Sequence, residues 1–455
     1  MMTQEMIKDI TLLRFVDFAD LNLWDVKRYK AGKLKSDFEI VLLGKYINEE
    51  TTKLKPQDYP NQEFKILGVN NKTGIFDAYT QPTNEIKQAY KKMEIGFIAY
   101  NPYRVNVGSI GMRTKEHKNN LISPAYVVFS CKPELNPDYL YKLFKTKKYN
   151  QIIRDNTTGS VRQNLTFDLL EKIKIPLPPL DKQEQILKDY YKKINLADKW
   201  EEKAKELDGY IDEYLFDELG INILDKSKRD NNLSFVNFKD IDRWGVNFLM
   251  NSKSASQLLL SKKYTNYPLT NFVIVNPSTS FSNLKINKLS FLPMECISDD
   301  YGEVIENYEG NIENSDGYTK FKEGDLLWSK ITPCMENGKS AIVNNLINGY
   351  GYGSTEYHVL RKKSNNINLE FVYHILRTKY IRKQGTYHFT GSAGQQRVPS
   401  EFLEKMWIPV PNITIQNRIA DKITRIKNLI KKLQQNAENY RVKAIEDFEK
   451  AVIKE

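Results

Sequence analysis

Thr158–Leu180 reads TGSVRQNLTFDLLEKIKIPLPPL, and Thr390–Asn412 reads TGSAGQQRVPSEFLEKMWIPVPN. Each begins with a polar, glycine-bearing loop, passes into a short apolar run and ends on prolines. A long helix-forming segment follows each. One module is written twice, and working outward from this pair finds more of it. LRFVDFADLNLWDV at Leu13–Val26 matches LSFVNFKDIDRWGV at Leu233–Val246, at an offset of 220. Asn101-Pro102 and Gly108 answer Thr332-Pro333 and Gly338. SPAYVVF from Ser123 answers STEYHVL from Ser354, and LYKLFKTKK from Leu140 answers VYHILRTKY from Val372. The offset reaches 233 where LLEKIKIPLP answers FLEKMWIPVP, as small loop insertions in one copy would produce. A repeat of this kind has to be recognised before a fold is assigned.

Runs rich in β-branched and aromatic residues, bounded by Gly, Asn and Pro, predict strands. They are FEIVLLGKYI, GFIAYNPYRV and AYVVFSC in the first copy, and TNFVIVN, DLLWSKI and SAIVNNLI in the second. DYLYKLFKTKKYNQII and LEFVYHILRTKYIRKQ carry apolar residues three and four apart, and each predicts an amphipathic helix. Each copy is thus a mixed α/β (α+β) globule. Trp24 and Trp244 read as packing residues at its start.

Past the prolines the period becomes seven. Ile186, Lys193, Trp200, Leu207 and Tyr214 form one line, and Tyr190, Ala197, Ala204 and Ile211 another. The last segment repeats this with Ile419, Ile426, Leu433 and Tyr440 beside Ile423, Ile430, Ala437, Ala444 and Ala451. Two apolar lines at heptad spacing make a coiled-coil seam; an ordinary amphipathic helix packed on its own domain is the alternative. Residues 181–217 hold 7 basic and 11 acidic residues, against 10 and 6 in residues 413–455, which favours pairing between the two. The chain must turn back for them to meet, so they run antiparallel. The expected domains are a first globule at 1–180, a long helix at 181–219, a second globule at 220–412 and a second long helix at 413–455. The expected architecture is two duplicated globules joined by a pair of antiparallel coiled-coil helices, each ~55 Å long, about a pseudo-two-fold axis, with the chain ending near where it began.

The net charge of +11 suits a polyanionic partner such as nucleic acid. No run of ~18 apolar residues occurs and the N-terminus lacks a secretory pattern, so a cytoplasmic protein with no membrane contact is expected. Cys131, Cys296 and Cys334 form no C-x-x-C pair, and His117, His358, His374 and His388 are scattered, so no metal site is indicated. Asn101-Pro102-Tyr103 slightly resembles the N-P-P-Y motif of adenine methyltransferases, but it lacks the second proline and a preceding glycine-rich cofactor loop. GYGYGST at Gly349–Thr355 lacks the lysine of a phosphate loop and reads as a turn. Catalytic residues: none are indicated.

The two matching loops carry the chemistry. The first holds Ser160, Arg162, Gln163 and Asn164, and the second Ser392, Gln395, Gln396 and Arg397. Arg bonds guanine O6 and N7 in a bidentate way, and Gln or Asn does the same to adenine. Glycine lets backbone approach a groove closely. Arg104, Asn106, Arg113 and Lys115 in the first copy, and Lys330 and Lys339 in the second, are further candidates for DNA contact. Solvated surface is the alternative reading for all of these.

The chain resembles, over essentially its whole length, the specificity (S) subunit of type I restriction–modification systems. The features that carry the resemblance are the duplicated module, the TGS loop ahead of KIKIPLPPL with its partner KMWIPVPN, and Gln183-x-x-Ile186 and Gln416-x-x-Ile419 opening the long helices. The second copy departs in having PNIT for PPLD and GSAGQQR for GSVRQN. The resemblance implies two target recognition domains, each reading half of a bipartite site in double-stranded DNA. It implies spacer helices that act as a ruler and dock two modification (M) subunits. Those partners would carry S-adenosylmethionine and methylate adenine, and restriction (R) subunits would join for cleavage. This chain would hold no cofactor and be non-catalytic. The recognition subunit of a related two-protein restriction system fits the same features. A solitary methyltransferase or nuclease, and a coiled-coil adaptor binding only proteins, are the readings from other classes.

Overall fold

The computed structural model describes residues 34–157, 164–223, 254–282, 284–392 and 394–454. Leu13–Val26 and Leu233–Val246, with Trp24 and Trp244, lie outside the described residues, as do Ser160, Arg162 and Gln163. The chain divides into two units, residues 1–199 with 436–455, and residues 200–435.

Unit 1 contains β1 (Ile40–Leu42), β2 (Ile47–Glu49), β3 (Lys53–Leu54), β4 (Glu63–Asn70), β5 (Gly74–Pro82), β6 (Tyr90–Lys92), β7 (Ile98–Tyr100), β8 (Ile110–Met112), β9 (Leu121–Ile122), β10 (Val127–Cys131) and β11 (Lys174–Pro176). Its helices are α1 (Pro137–Lys145), α2 (Lys147–Asn156), α3 (Phe167–Leu170) and the start of α4 (Leu180–Leu219). Unit 2 contains β12 (Asn266–Pro268), β13 (Val273–Val275), β14 (Lys288–Leu292), β15 (Tyr308–Asn311), β16 (Thr319–Lys322), β17 (Leu326–Ser329), β18 (Ser340–Ile342), β19 (Tyr350–Gly353), β20 (Tyr357–Lys362) and β21 (Trp407–Pro409). Its helices are α5 (Leu369–Arg377), α6 (Lys379–Tyr387), α7 (Ser400–Glu404) and the start of α8 (Ile413–Val452). Each unit takes one half of α4 and one half of α8.

The duplication is a duplication of topology. A β1-β11 pair and a sheet ordered β2-β10-β7-β8 in unit 1 reappear as a β12-β21 pair and a sheet ordered β13-β20-β17-β18 in unit 2. The second sheet, β3-β6-β9-β4-β5, matches β16-β19-β14-β15 read in the same direction, with β3 extra. The one parallel pairing falls at the same place in both, β4 with β9 and β14 with β19.

Register corrects one expected equivalence. Tyr100 pairs with Ile110 and Val127, while Trp328 pairs with Ser340 and His358. Tyr100 therefore corresponds to Trp328, and Pro102 to Lys330 rather than Pro333. The backbone agrees: the Pro102 carbonyl accepts from Leu165 N at 3.1 Å, and the Lys330 carbonyl from Val398 N at 2.8 Å. The second copy has two more residues before its glycine, which displaced the alignment of the Asn-Pro and Thr-Pro pairs. The glycine match itself holds. Lys145 Nζ donates to the Gly108 carbonyl, and the Arg377 guanidinium to the Gly338 carbonyl.

Each long amphipathic stretch is two helices, not one. Thr146 and Thr378 adopt extended backbone between them. Their hydroxyls donate to Leu143 O and Ile375 O at 2.8 Å and accept from Tyr149 N and Ile381 N at 3.3 Å. Such a threonine caps the second helix and so ends the first. GYGYGST is strand rather than turn, since Tyr350–Gly353 form β19 inside the second sheet. Two of its three glycines are there for space: a Cβ on Gly351 would strike the Phe321 ring, and one on Gly353 the Leu292 carbonyl.

Inside each unit the two long helices run antiparallel. Lys193 pairs with Asp447 and Asp198 with Arg441 in unit 1; Glu218 pairs with Arg418 in unit 2. Two of these three set an acid on α4 against a base on α8, as the opposite net charges suggested. Along the seam Ile186, Ala197, Ala204, Ile419, Ile423, Ile430, Ala437 and Ala444 are buried. Tyr190, Trp200, Leu207, Ile211, Ile426, Leu433 and Tyr440 are half-buried. Ala451 is exposed, and Phe448 and Val452 are buried in its stead. A strict seven-residue line drifts by ~20° per heptad around a straight helix, and here it has left the interface.

The helices are also part of the domain cores. Ile186, Leu187, Phe448 and Val452 pack with Leu43, Tyr100, Phe129 and Tyr139 in unit 1. Leu215, Leu219, Ile419 and Ile423 pack with Trp328, Phe371 and Phe402 in unit 2. The end of α8 is clipped to the start of unit 1, where Ser36 Oγ donates to Val452 O at 2.6 Å and Lys454 pairs with Lys35. In unit 2 Ser261 Oγ donates to Leu219 O at 2.5 Å and so clips the end of α4.

A buried glutamine locks each helix start. Gln183 Oε1 accepts from Asn136 N at 2.8 Å, and its amide donates to Glu134 O at 3.0 Å and Pro178 O at 2.8 Å. Gln416 repeats this with Asn368 N at 2.9 Å, Asn366 O at 3.0 Å and Pro411 O at 2.8 Å. Both side chains are fully buried. A leucine at 416 leaves these groups without their partner, so Gln416→Leu is expected to cost about 1–3 kcal/mol. Urea denaturation should show a lower midpoint with an unchanged slope.

Unit 2 also holds a half-buried lysine against its core. Lys427 donates to the Tyr373 hydroxyl at 2.7 Å. Burial, reinforced by the neighbouring Arg377 charge, pushes its pKa down to about 7. The unfolded chain therefore binds one more proton than the folded chain above about pH 7. That stability term rises with pH up to the ordinary lysine value, ~10.4. Lys427→Met should thus raise the thermal midpoint more at pH ~6 than at pH ~9; an equal gain at both would show that the buried charge is not the cause.

Candidate nucleic-acid interface

The stretch after α6 in unit 2 is a closed hairpin. Thr390 and Arg397 exchange backbone hydrogen bonds, each at 2.9 Å. Gly391 and Gly394 take φ of +102° and +83°, a backbone region that glycine enters without steric cost. Gln395 N donates to Ser392 O at 3.1 Å across the tip. Ser392 and Gln395 are exposed there, and Gln396 is half-buried. The base of the hairpin is tied to the frame, with Thr332 N donating to Gln396 O at 3.0 Å and Ile331 bridging Arg397.

The Arg397 guanidinium is engaged within the protein. Its Nε and Nη2 donate to the two oxygens of Glu356 at 2.8 Å, and Nη1 donates to Gln395 O at 2.7 Å. The fork that guanine would need is occupied. Its hydrogen bonds hold the Glu356 carboxyl below the usual carboxylate range, against the opposing effect of burial. Arg397 is a positioning residue for the hairpin, and the tip groups are Ser392 and Gln395. Glu356 was not singled out from sequence, because it lies 41 residues away and only the fold joins the two.

The remaining candidates separate by what their side chains already do. Arg113 donates from Nε to Asn119 O at 2.9 Å and from Nη1 to Met93 O at 2.7 Å, which fixes a loop of unit 1. Lys339 donates to Met294 O at 3.1 Å. Arg104 and Lys115 are exposed, while Asn106 is half-buried and its carbonyl accepts from Arg154 Nε at 3.0 Å. Asn164 is half-buried at the far end of the first loop. Lys330 lies beside the second hairpin in a concavity of unit 2. Among the described residues no group of three or more His, Cys, Asp or Glu side chains could hold a metal ion.

The fold defines a duplicated scaffold, one frame built twice. The family described as the type I restriction modification DNA specificity domain matches residues 29–206 and 249–439. The chain belongs to that family. It is 36% identical over 170 residues to the type I restriction enzyme EcoEI specificity subunit of Escherichia coli, covering 37% of this chain and 28% of that protein. It is 38% identical over 173 residues to the EcoAI specificity subunit of the same organism, covering 37% of this chain and 29% of that protein. The chain thus matches less than a third of the length of either relative. A solved chain from work on complex assembly and conformational transition of the type I R-M system has the same fold, with a TM-score of 0.51 at 14% identity over 92% of this chain and 97% of that one.

Glu356→Gln keeps the shape of the side chain and removes its charge. Amide exchange at Thr390 and Arg397 is expected to accelerate, since the weakened pair no longer braces the hairpin base. Equal protection in both proteins would remove Glu356 from this role.

Proposed function

We propose that the chain is the sequence-reading, non-catalytic specificity subunit of a type I restriction–modification assembly. Each unit reads one half of a bipartite target in duplex DNA through the loop that follows its second short helix. The observation that carries this is the pairing of one sheet topology with two unlike loops, GSVRQN in one unit and GSAGQQR in the other. A shared frame gives both readers the same stance on a groove, and different tips give them different base preferences. The net charge of +11 supports a polyanionic target.

Two modification subunits carrying S-adenosylmethionine are the proposed partners, with restriction subunits joining them, in the cytoplasm. Exposed apolar side chains recur at matching places along the helices: Leu180 and Leu196 in unit 1, Ile413 and Leu429 in unit 2. A partner that recognises one set can recognise the other, which supports two copies of the same subunit. The helices α4 and α8 each run for 40 residues, which supports a spacer role. Among the described residues no helix is long and apolar enough to cross a membrane.

The test is to co-produce the chain with its modification subunits and map methylated adenines on host DNA. A motif with two defined halves separated by undefined bases is expected, together with loss of methylation when the chain is omitted. Gln395→Ala should relax one base position within one half, costing about 1–3 kcal/mol there, and leave the other half unchanged. Methylation without the chain, or equal weakening of both halves, would overturn the reading.

A further inference from the structure

Unit 2 has a concavity of about 340 Å³ between β13, β16 and β20, beside the hairpin of Thr390. Its polar groups fall into two sets. One set is committed to the fold. The Asn276 amide accepts from Val359 N at 3.1 Å and contacts His358 Nδ1 at 3.1 Å. The Thr279 hydroxyl accepts from Arg361 at 2.8 Å, and Arg361 is locked by two bonds to the buried Asp325 at 2.8 and 2.7 Å. The Tyr357 hydroxyl donates to Pro293 O at 3.0 Å. These bonds tie the groups to the frame.

The groups at the rim are different. The Lys330 ammonium makes no hydrogen bond among the described residues. Lys320 stands 5.1 Å from the centre of the Phe281 ring and makes one ion pair, at 3.3 Å, with Asp316, a carboxylate 94% exposed. An ion pair so exposed is weak and easily exchanged. Tyr318 and Thr319 line the concavity beside the two lysines. Two cations and two hydroxyl-bearing side chains match the oxygens of a phosphodiester.

The rim is joined rigidly to the reading loop. Lys330 N donates to Glu356 O at 2.9 Å, and Lys330 O accepts from Val398 N at 2.8 Å. Glu356 is the residue that braces Arg397. We propose that Lys320, Lys330, Tyr318 and Thr319 form a seat for one stretch of DNA backbone phosphate, which sets the register of the hairpin tip on the bases beside it. Pro102 stands at the position of Lys330 in unit 1, so this anchor belongs to the second reader alone. The inference rests on the DNA-reading function and adds to it a sequence-neutral contact.

The test measures salt dependence of binding, in the same assembly with its modification subunits, on the mapped target and on a scrambled duplex. Lys320→Gln with Lys330→Gln should lower affinity by the same factor on both duplexes. The slope of log affinity against log salt should fall by about 0.9 for each phosphate left without its cation, and so by about two for the pair. The methylated motif should be unchanged, and Lys320→Arg with Lys330→Arg should restore the slope. An unchanged slope in a variant that folds normally overturns the seat while leaving the reading function intact. A change of base preference at one position overturns it too, because the concavity would then hold a base. Failure of the unaltered assembly to bind either duplex would overturn the reading function instead.

Discussion

The interaction on which the rest depends is the amide of a buried glutamine at the head of each long helix. Gln183 and Gln416 each satisfy one backbone N–H and two carbonyls, drawn from the cap of the preceding domain helix and from the proline bend. An apolar residue could fill the same volume, but it would leave these groups unpaired in a dry place. The amide fixes where the helix begins and how it is rotated. That rotation decides which side chains face the partner helix and which enter the domain core. Ile186 and Ile419, one turn further on, are buried as a result.

The two units agree at that joint and in the sheets beside it. The β-pairs next to it and the four-stranded sheets are ordered identically. The threonine breaks at 146 and 378 follow the same hydrogen-bond pattern. Divergence begins at the edge of the second sheet, where β3 is extra, and is greatest in the loops. Lys145 and Arg377 show how chemistry shifts while geometry stays. Both reach the carbonyl of an equivalent glycine, one with an ammonium and one with a guanidinium.

The parts legible in sequence were those with a short period. Runs of β-branched and aromatic residues between turn residues gave the framework strands, heptads gave the seam, and the need for the chain to turn back gave its antiparallel sense. What escaped were relations made by the fold. Gln183 was visible as a motif, but its carbonyl partner at Glu134 lies 49 residues away. Arg397 read as a free fork because Glu356 could not be placed beside it. GYGYGST read as a turn because glycine usually marks one, whereas here it makes room for Phe321. The split of each amphipathic stretch had a usable signal: a Thr followed by Lys in both copies, at a place where an uninterrupted helix gains nothing from threonine.

The hairpin in unit 2 separates its duties by position. Its base is held by backbone bonds, two positive-φ glycines and the Arg397–Glu356 pair, and its tip side chains project from that base without supporting it. Substitution at Ser392 or Gln395 therefore leaves intact every bond on which folding relies. A lineage carrying such a loop can explore new tips by single mutations while its stability stays constant. Change at the base meets immediate selection against misfolding. A protein of this design diversifies quickly in what it prefers and slowly in how it is built.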